Sequence, residues 1–123
     1  MTIYTFNLDG PIVPKARART TANGTYHPHR YNNWKKGAIA DISSQYEGNP
    51  LEYAEVTISL SGKHNRQGDA DNVAGSILDA LVQARVLVDD NMKRVPSLTI
   101  ALDWQKKAEP KTVVVLSVAR EAA

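Results

Sequence analysis

The sequence predicts an α+β domain: a mixed sheet with two helices packed on it, in the order β-α-β-α-β-β. Two observations carry this. Four stretches are continuously apolar or alternate with period two, and two others carry apolar residues at spacings of three and four. Clusters rich in Gly, Pro and polar residues separate them.

Residues 3–8 read as the first strand, ended by Asp9-Gly10-Pro11. Residues 11–29 carry Pro11, Pro14, Gly24 and Pro28 and read as a long loop with room for a short hairpin; loops of that length in small domains are often functional. Tyr31, Trp34, Ala38, Ile42 and Tyr46 form one stripe, predicting a helix over about 30–46 that Gly48-Asn49-Pro50 stops. Trp34 belongs to that stripe, which assigns it to packing rather than base stacking. Val56, Ile58 and Leu60 alternate with Glu55, Thr57 and Ser59, a strand with one buried face. A polar loop follows over 62–68. Val73, Ile77, Leu78, Leu81 and Ala84 then predict a helix over about 72–84, with Asp71 as its N-cap. Leu98, Ile100, Leu102 and Trp104 alternate with polar and small residues, Lys106 to Lys111 makes a turn, and 112–118 reads as the last strand. So short a link cannot carry a parallel crossover, so the last two strands are expected to form an antiparallel hairpin.

With 123 residues and no cysteine, the chain fits one domain, and disulfides and thiolate metal sites are excluded. No apolar run spans a bilayer and no signal-peptide pattern opens the chain, so no membrane partner is expected and a cytoplasmic location, or its organellar or phage equivalent, is. Charge distribution says more than the net +2. Between Gly10 and Lys36 there is no acid, but Lys15, Arg17, Arg19, Arg30, Lys35 and Lys36 are basic. Downstream, Asp69, Asp71, Asp79, Asp89 and Asp90 fall close together. One part suits a polyanion; the other repels it unless a cation intervenes. Charge alone does not separate this from ordinary solvated surface.

Asp69-Ala70-Asp71 lies between a loop and a helix start. In extended backbone, residues two apart share a side, so these carboxylates can converge. Asp89-Asp90 follows the helix after one short connection and can return towards them as the chain turns back to the sheet. Gathered carboxylates repel one another, and a divalent cation reverses that cost. Oxygen-only ligands select hard ions such as Mg²⁺ or Mn²⁺, and two such ions about 4 Å apart serve both the attacking water and the departing 3′-oxygen of a phosphoryl displacement. Singly, each aspartate is more readily a helix cap or turn residue; the arrangement D-x-D-N, helix, D-D is more specific. His27-Pro28-His29, with only His64 elsewhere, reads as loop polarity rather than a metal site. There is no phosphate-binding glycine motif of the P-loop or dinucleotide type.

Gly68-Asp69-Ala70-Asp71-Asn72, Ile77-Leu78-Asp79-Ala80-Leu81 and Val88-Asp89-Asp90 together resemble the RusA family of Holliday-junction resolvases, the crossover junction endodeoxyribonucleases. Pro14-Lys15-Ala16-Arg17, with Tyr26 and Pro28 after it, is similar to that family's basic N-terminal loop. The resemblance implies a RusA-like fold over 1–123 as a single endonuclease domain. It implies a homodimer that makes Mg²⁺-dependent cuts, with Mn²⁺ able to substitute, in opposing strands of a four-way junction. By position, Asp69, Asp71 and Asp90 become the catalytic, metal-binding carboxylates, with Asp89 a weaker metal ligand. Asp79 matches a common family position without an assigned role. Lys15, Arg17 and Arg19 alternate, so an extended loop presents all three to a phosphate backbone. Lys63 and Arg66 join them as DNA contacts, with Tyr26 as a stacking residue.

One departure stands out. The family usually carries a lysine four residues after the second aspartate, on the same helical face; here that residue is Gly75. Either another cation, Lys93 or Lys63, fills the space, or the metals act alone at a lower rate, or the chain binds branched DNA without efficient cutting. A metal-dependent nuclease acting on another nucleic acid is the remaining alternative.

Overall fold

The computed structural model describes residues 1–15, 19–21, 24–26, 29–66 and 68–119, with backbone alone for 19–21 and 24–26. Its elements are β1 (Thr2–Asp9), β2 (Arg19–Thr21), β3 (Gly24–Tyr26), α1 (His29–Ser44), β4 (Glu55–Gly62), α2 (Ala70–Gln83), β5 (Leu98–Trp104) and β6 (Lys111–Val118). The expected order is present, with β2 and β3 as a small hairpin inside the long loop. The main sheet has the order β1-β6-β4-β5. β6 runs antiparallel to both β1 and β4, while β5 runs parallel to β4, so the sheet is mixed.

Period-two alternation builds the core. Phe6 and Leu8 of β1, Val114 and Leu116 of β6, and Val56, Ile58 and Leu60 of β4 are buried on one face of the sheet. Registers such as Phe6↔Val114 and Ile58↔Val114 set them side by side. Ala38 and Ile42 of α1 and Ala74, Ile77, Leu78 and Leu81 of α2 cover that face, as the two stripes require. Truncating Leu81, which has no exposed surface, to alanine leaves a cavity costing about 2–5 kcal/mol. Thr5, Asn7, Thr57 and Ser59 on the other face are exposed. The helices therefore form a single second layer.

The last two strands correct the hairpin expectation. β5 and β6 are antiparallel in direction, but β4 lies between them. Their polar link steps across the end of β4: Gln105 N–H donates to the Gly62 carbonyl at 3.0 Å, and Lys63 N–H to that of Ala108 at 3.0 Å. Gly62 makes this crossing possible. Its φ is +90°, and a Cβ there would stand 2.7 Å from the carbonyl carbon of Glu109. Only glycine combines that backbone angle with so close an approach.

A second correction concerns the start of α2. Asp69, not Asp71, takes the cap position, with φ −67° and ψ 135°, and its side chain makes no capping bond. Asp71 lies inside the first turn, where a negative charge complements the helix dipole. Its Oδ1 accepts the N–H of Asn72 at 2.9 Å.

Candidate nucleic-acid and metal site

β1 and β4 are parallel to each other, since both oppose β6. Their carboxyl ends therefore emerge at the same end of the sheet, where the chain after β1 meets the start of α2. Three contacts hold the two together. Ser76 Oγ, fully buried, donates to the Val13 carbonyl at 2.6 Å. Lys15 N–H donates to the Asn72 carbonyl at 2.9 Å. Pro14 packs on Gly68 so closely that a Cβ there would stand 2.9 Å from its Cγ. Residues 13–15 are thereby laid along the first two turns of α2. Lys63 leaves β4 at this end and is exposed, as are Asp69 and Asp71. Arg17 lies outside the described residues, and Arg19 and Tyr26 enter the hairpin by their backbone alone.

Arg66 lies over the face of Trp104, 3.7 Å from the ring centroid, a cation–π contact that fixes the guanidinium beside the loop. Trp104 Nε1–H donates to the His64 carbonyl at 3.1 Å, and the His64 ring is hydrogen-bonded to the Lys111 carbonyl at 3.0 Å. His64 is buried and committed to that carbonyl; His27 lies outside the described residues, and His29 is exposed on α1. Between this loop, Ala70 and Val73 of α2, and Ile100 and Leu102 of β5 runs a shallow groove with an apolar floor.

Asp89 and Asp90 stand elsewhere. Leu51 N–H donates to the Val86 carbonyl at 2.7 Å and Val88 N–H to that of Leu51 at 3.0 Å. These bonds tie the chain beyond α2 to the segment before β4, and Arg94 clasps Glu52 at 2.7 Å. This is the amino end of β4. The 14 residues of α2 separate it from Asp69 by about 21 Å at 1.5 Å per residue. Lys93 lies exposed at the same far end, so it does not fill the space beside Gly75. Among the described residues, no three carboxylates or imidazoles within one chain are grouped to hold a metal ion. The helix start also removes the extended backbone on which Asp69 and Asp71 were expected to share a side.

The donor chemistry itself suits a hard cation. Among the described residues, neither Asp69 nor Asp90 accepts a side-chain hydrogen bond, leaving both carboxylates uncommitted. Asp89 is less available: its Oδ1 accepts the Asp90 N–H at 2.7 Å and its Oδ2 the Asn91 amide at 3.3 Å.

Asp79 acquires a role that the sequence left open. Its Oδ2 accepts the Tyr31 hydroxyl at 2.8 Å and the Lys35 ammonium at 3.3 Å, bridging α2 to α1. Burial alone raises the Asp79 carboxyl, but the Tyr31 hydrogen bond and the positive charges of Lys35 and Lys15 outweigh it and hold the group below its usual range. Burial first, then the hydrogen bond to Asp79 and its charge, push the Tyr31 phenol well above its ordinary value. The available signal was Tyr31 in the buried stripe of α1, since a buried phenol needs a hydrogen-bond partner. Trp34 stacks on Tyr31, 6.2 Å between centroids, and packs on the core as its stripe predicts.

A mixed sheet under two helices, with exposed carboxylates and Lys15 and Lys63 at one end, suits a protein that handles a polyanion with the help of a cation. Residues 9–117 match the model described as Endodeoxyribonuclease RusA, and the chain belongs to that family. A curated relative, the Crossover junction endodeoxyribonuclease RusA of Aquifex aeolicus (strain VF5), is 31% identical over 83 residues. That match covers 65% of this chain and 66% of the relative, just under two thirds of its length. A solved structure, CetZ from Methanosaeta thermophila strain DSM 6194, superimposes with TM-score 0.44 at 14% identity, over 95% of this chain and 27% of that one. So low a score carries no argument. No helix among the described residues is long and apolar enough to cross a membrane.

Proposed function

We propose that residues 1–123 form one structure-selective endodeoxyribonuclease domain. Acting as a homodimer, it resolves four-way junctions by paired hydrolysis in opposing strands. The observation that carries this reading is the pair Asp69 and Asp71, exposed at the start of α2 with Lys15 bound to the first turn of that helix, in a chain of the RusA family. Asp69, Asp71 and Asp90 would hold Mg²⁺, or Mn²⁺ in its place, with Asp89 at the margin. When bound, such an ion polarises water and phosphate oxygens and offsets charge on the leaving oxygen. Water oxygen bonds to phosphorus and gives up a proton, the bond to the 3′-oxygen breaks, and that oxygen takes a proton. Lys15, Arg17, Arg19, Lys63 and Arg66 hold backbone phosphates, and Tyr26 offers a stacking face.

The length of α2 favours a second copy. Within one chain α2, about 21 Å long, stands between Asp69 and the segment that carries Asp90, so the far end of one chain meeting the near end of another would gather the carboxylates. A two-fold dimer forms two such sites, one for each strand of a symmetric junction.

The test incubates the protein with labelled four-way junction, linear duplex and flap DNA in Mg²⁺, Mn²⁺ or EDTA. Symmetric nicks on the junction, absent in EDTA and in Asp71→Asn, are expected. Retardation without nicking, or preference for another substrate, refutes the assignment. Mixing Asp71→Asn with Asp90→Asn examines the shared site. A mixed dimer regains one intact site and nicks one strand; if each site lies within one chain, the mixture stays inactive.

A further inference from the structure

The side chain of Lys15 lies across α2 at Gly75. A Cβ on Gly75 would meet Lys15 Cδ at 3.6 Å and Lys15 Cβ at 3.8 Å, ordinary van der Waals contact along the aliphatic stem. The stem is pinned where it begins. The Lys15 N–H bonds the Asn72 carbonyl, Val13 is held by the Ser76 hydroxyl, and Pro14 rests on Gly68. Asp71, Gly75 and Asp79 recur every fourth residue and share one face of α2. The chain of Lys15 begins over the first turn, crosses Gly75 and brings its ammonium within electrostatic reach of Asp79. Asp79 is already occupied by Tyr31 and Lys35, and among the described residues Lys15 forms no close ion pair of its own. A half-buried side chain is thus rooted by a backbone bond on the face that Asp71 shares with Asp79; its ammonium leans toward Asp79 without a close pair there, and rotation of its outer bonds would carry it back toward Asp71.

We propose that Lys15 is the active-site cation of this chain, reaching the scissile phosphate from the loop after β1, and that Gly75 is the seat left open for its stem. This rests on the nuclease reading above. An ammonium there pairs with a non-bridging phosphate oxygen and stabilises charge that grows in the transition state. It differs from a plain backbone contact, which sets position without altering the chemical step. The glycine is part of the arrangement: alanine fits beside the stem, whereas a long side chain at 75 competes for the same space.

The experiment measures single-turnover cleavage of a four-way junction at saturating protein. Junction affinity in Ca²⁺ and thermal melting are followed in parallel, for wild type, Lys15→Ala, Gly75→Ala, Gly75→Met, Gly75→Lys and Lys15→Ala/Gly75→Lys. Lys15→Ala is expected to cut about 100-fold more slowly, with unchanged melting and an affinity loss below roughly tenfold. Gly75→Ala stays near wild type. Gly75→Met, which seats a neutral chain over the helix, loses cleavage as Lys15→Ala does. The double variant regains at least about tenfold over Lys15→Ala, because a lysine at 75 restores the charge from the helix itself. Wild-type cleavage by Lys15→Ala at saturation reduces Lys15 to a backbone contact and overturns the assignment. So does a folded double variant no faster than Lys15→Ala. Wild-type protein that binds the junction without nicking it overturns the nuclease reading before any variant is compared.

Discussion

Replacing Asp79 by alanine removes the bridge between the two helices. Two interactions are lost. The hydroxyl of Tyr31, a side chain only 1% exposed, gives up its 2.8 Å bond to a charged acceptor, worth about 1.5–3 kcal/mol. The Lys35 pair, with side chains 17% and 22% exposed, adds at most about 1 kcal/mol. The expected destabilisation is about 2–4 kcal/mol, a fall in melting temperature of roughly 10 °C for a domain of this size. Urea unfolding followed by tryptophan fluorescence reads it directly, because Trp34 stacks on Tyr31. A double-mutant cycle of Asp79→Ala with Tyr31→Phe isolates the hydrogen bond, with an expected coupling of about 1.5–3 kcal/mol. Lys35→Ala alone costs no more than about 1 kcal/mol. A coupling below about 0.5 kcal/mol, the usual additivity error, refutes the bridge.

Other perturbations follow from the same geometry. Gly62→Ala forces a Cβ against the Glu109 carbonyl at positive φ and costs upwards of about 3 kcal/mol; a melting temperature within a few degrees of wild type contradicts the crossing described for the β5–β6 link. Thr112 buries a hydroxyl that, among the described residues, lacks a partner, so Thr112→Val stabilises by about 1 kcal/mol; a loss shows that the hydroxyl is satisfied. The Asp79 carboxyl is held below its usual 3.8, so its contribution is complete above that pH and is lost as pH falls through the lower folded value. Asp79→Asn therefore flattens the acid limb of a stability profile, and an unchanged limb contradicts the pairing. For Tyr31, raised above its usual 10.0, the contribution is complete below that pH and lost as pH rises through the folded value; Tyr31→Phe abolishes that alkaline loss, and a profile that keeps it refutes the assignment.

Periodicity located every long element within a few residues, because burial imposes it locally: the α1 stripe of Tyr31, Ala38 and Ile42 is buried as expected. Alternation reports which face a strand buries, not which strand lies beside it. β5 and β6 alternate well enough to pair, and the sheet instead seats β4 between them. Leu98 and Leu102 lie on the apolar side of the alternation, yet 42% and 41% of their surface is exposed, because β5 is an edge strand that the helices cover only in part. The D-x-D motif sets two aspartates two apart at the helix start, and the first, not the expected second, takes the cap position. The acidic pairs and the helix between them were legible, but not that α2 holds them apart, since that depends on the chain beyond it joining the segment before β4. Lys15 meets Gly75 across sixty residues of sequence, a distance over which spacing carries no signal.

The place of β6 bears on how the protein is made. In the sheet order, β1 at the rim pairs with β6 alone. During synthesis β1 must therefore wait, unmatched, until residues 111–118 have emerged. Such delayed pairing of distant segments slows folding and lengthens exposure of apolar surface. Nascent chains stalled before Lys111 should thus remain protease-sensitive even with both helices already outside the exit tunnel.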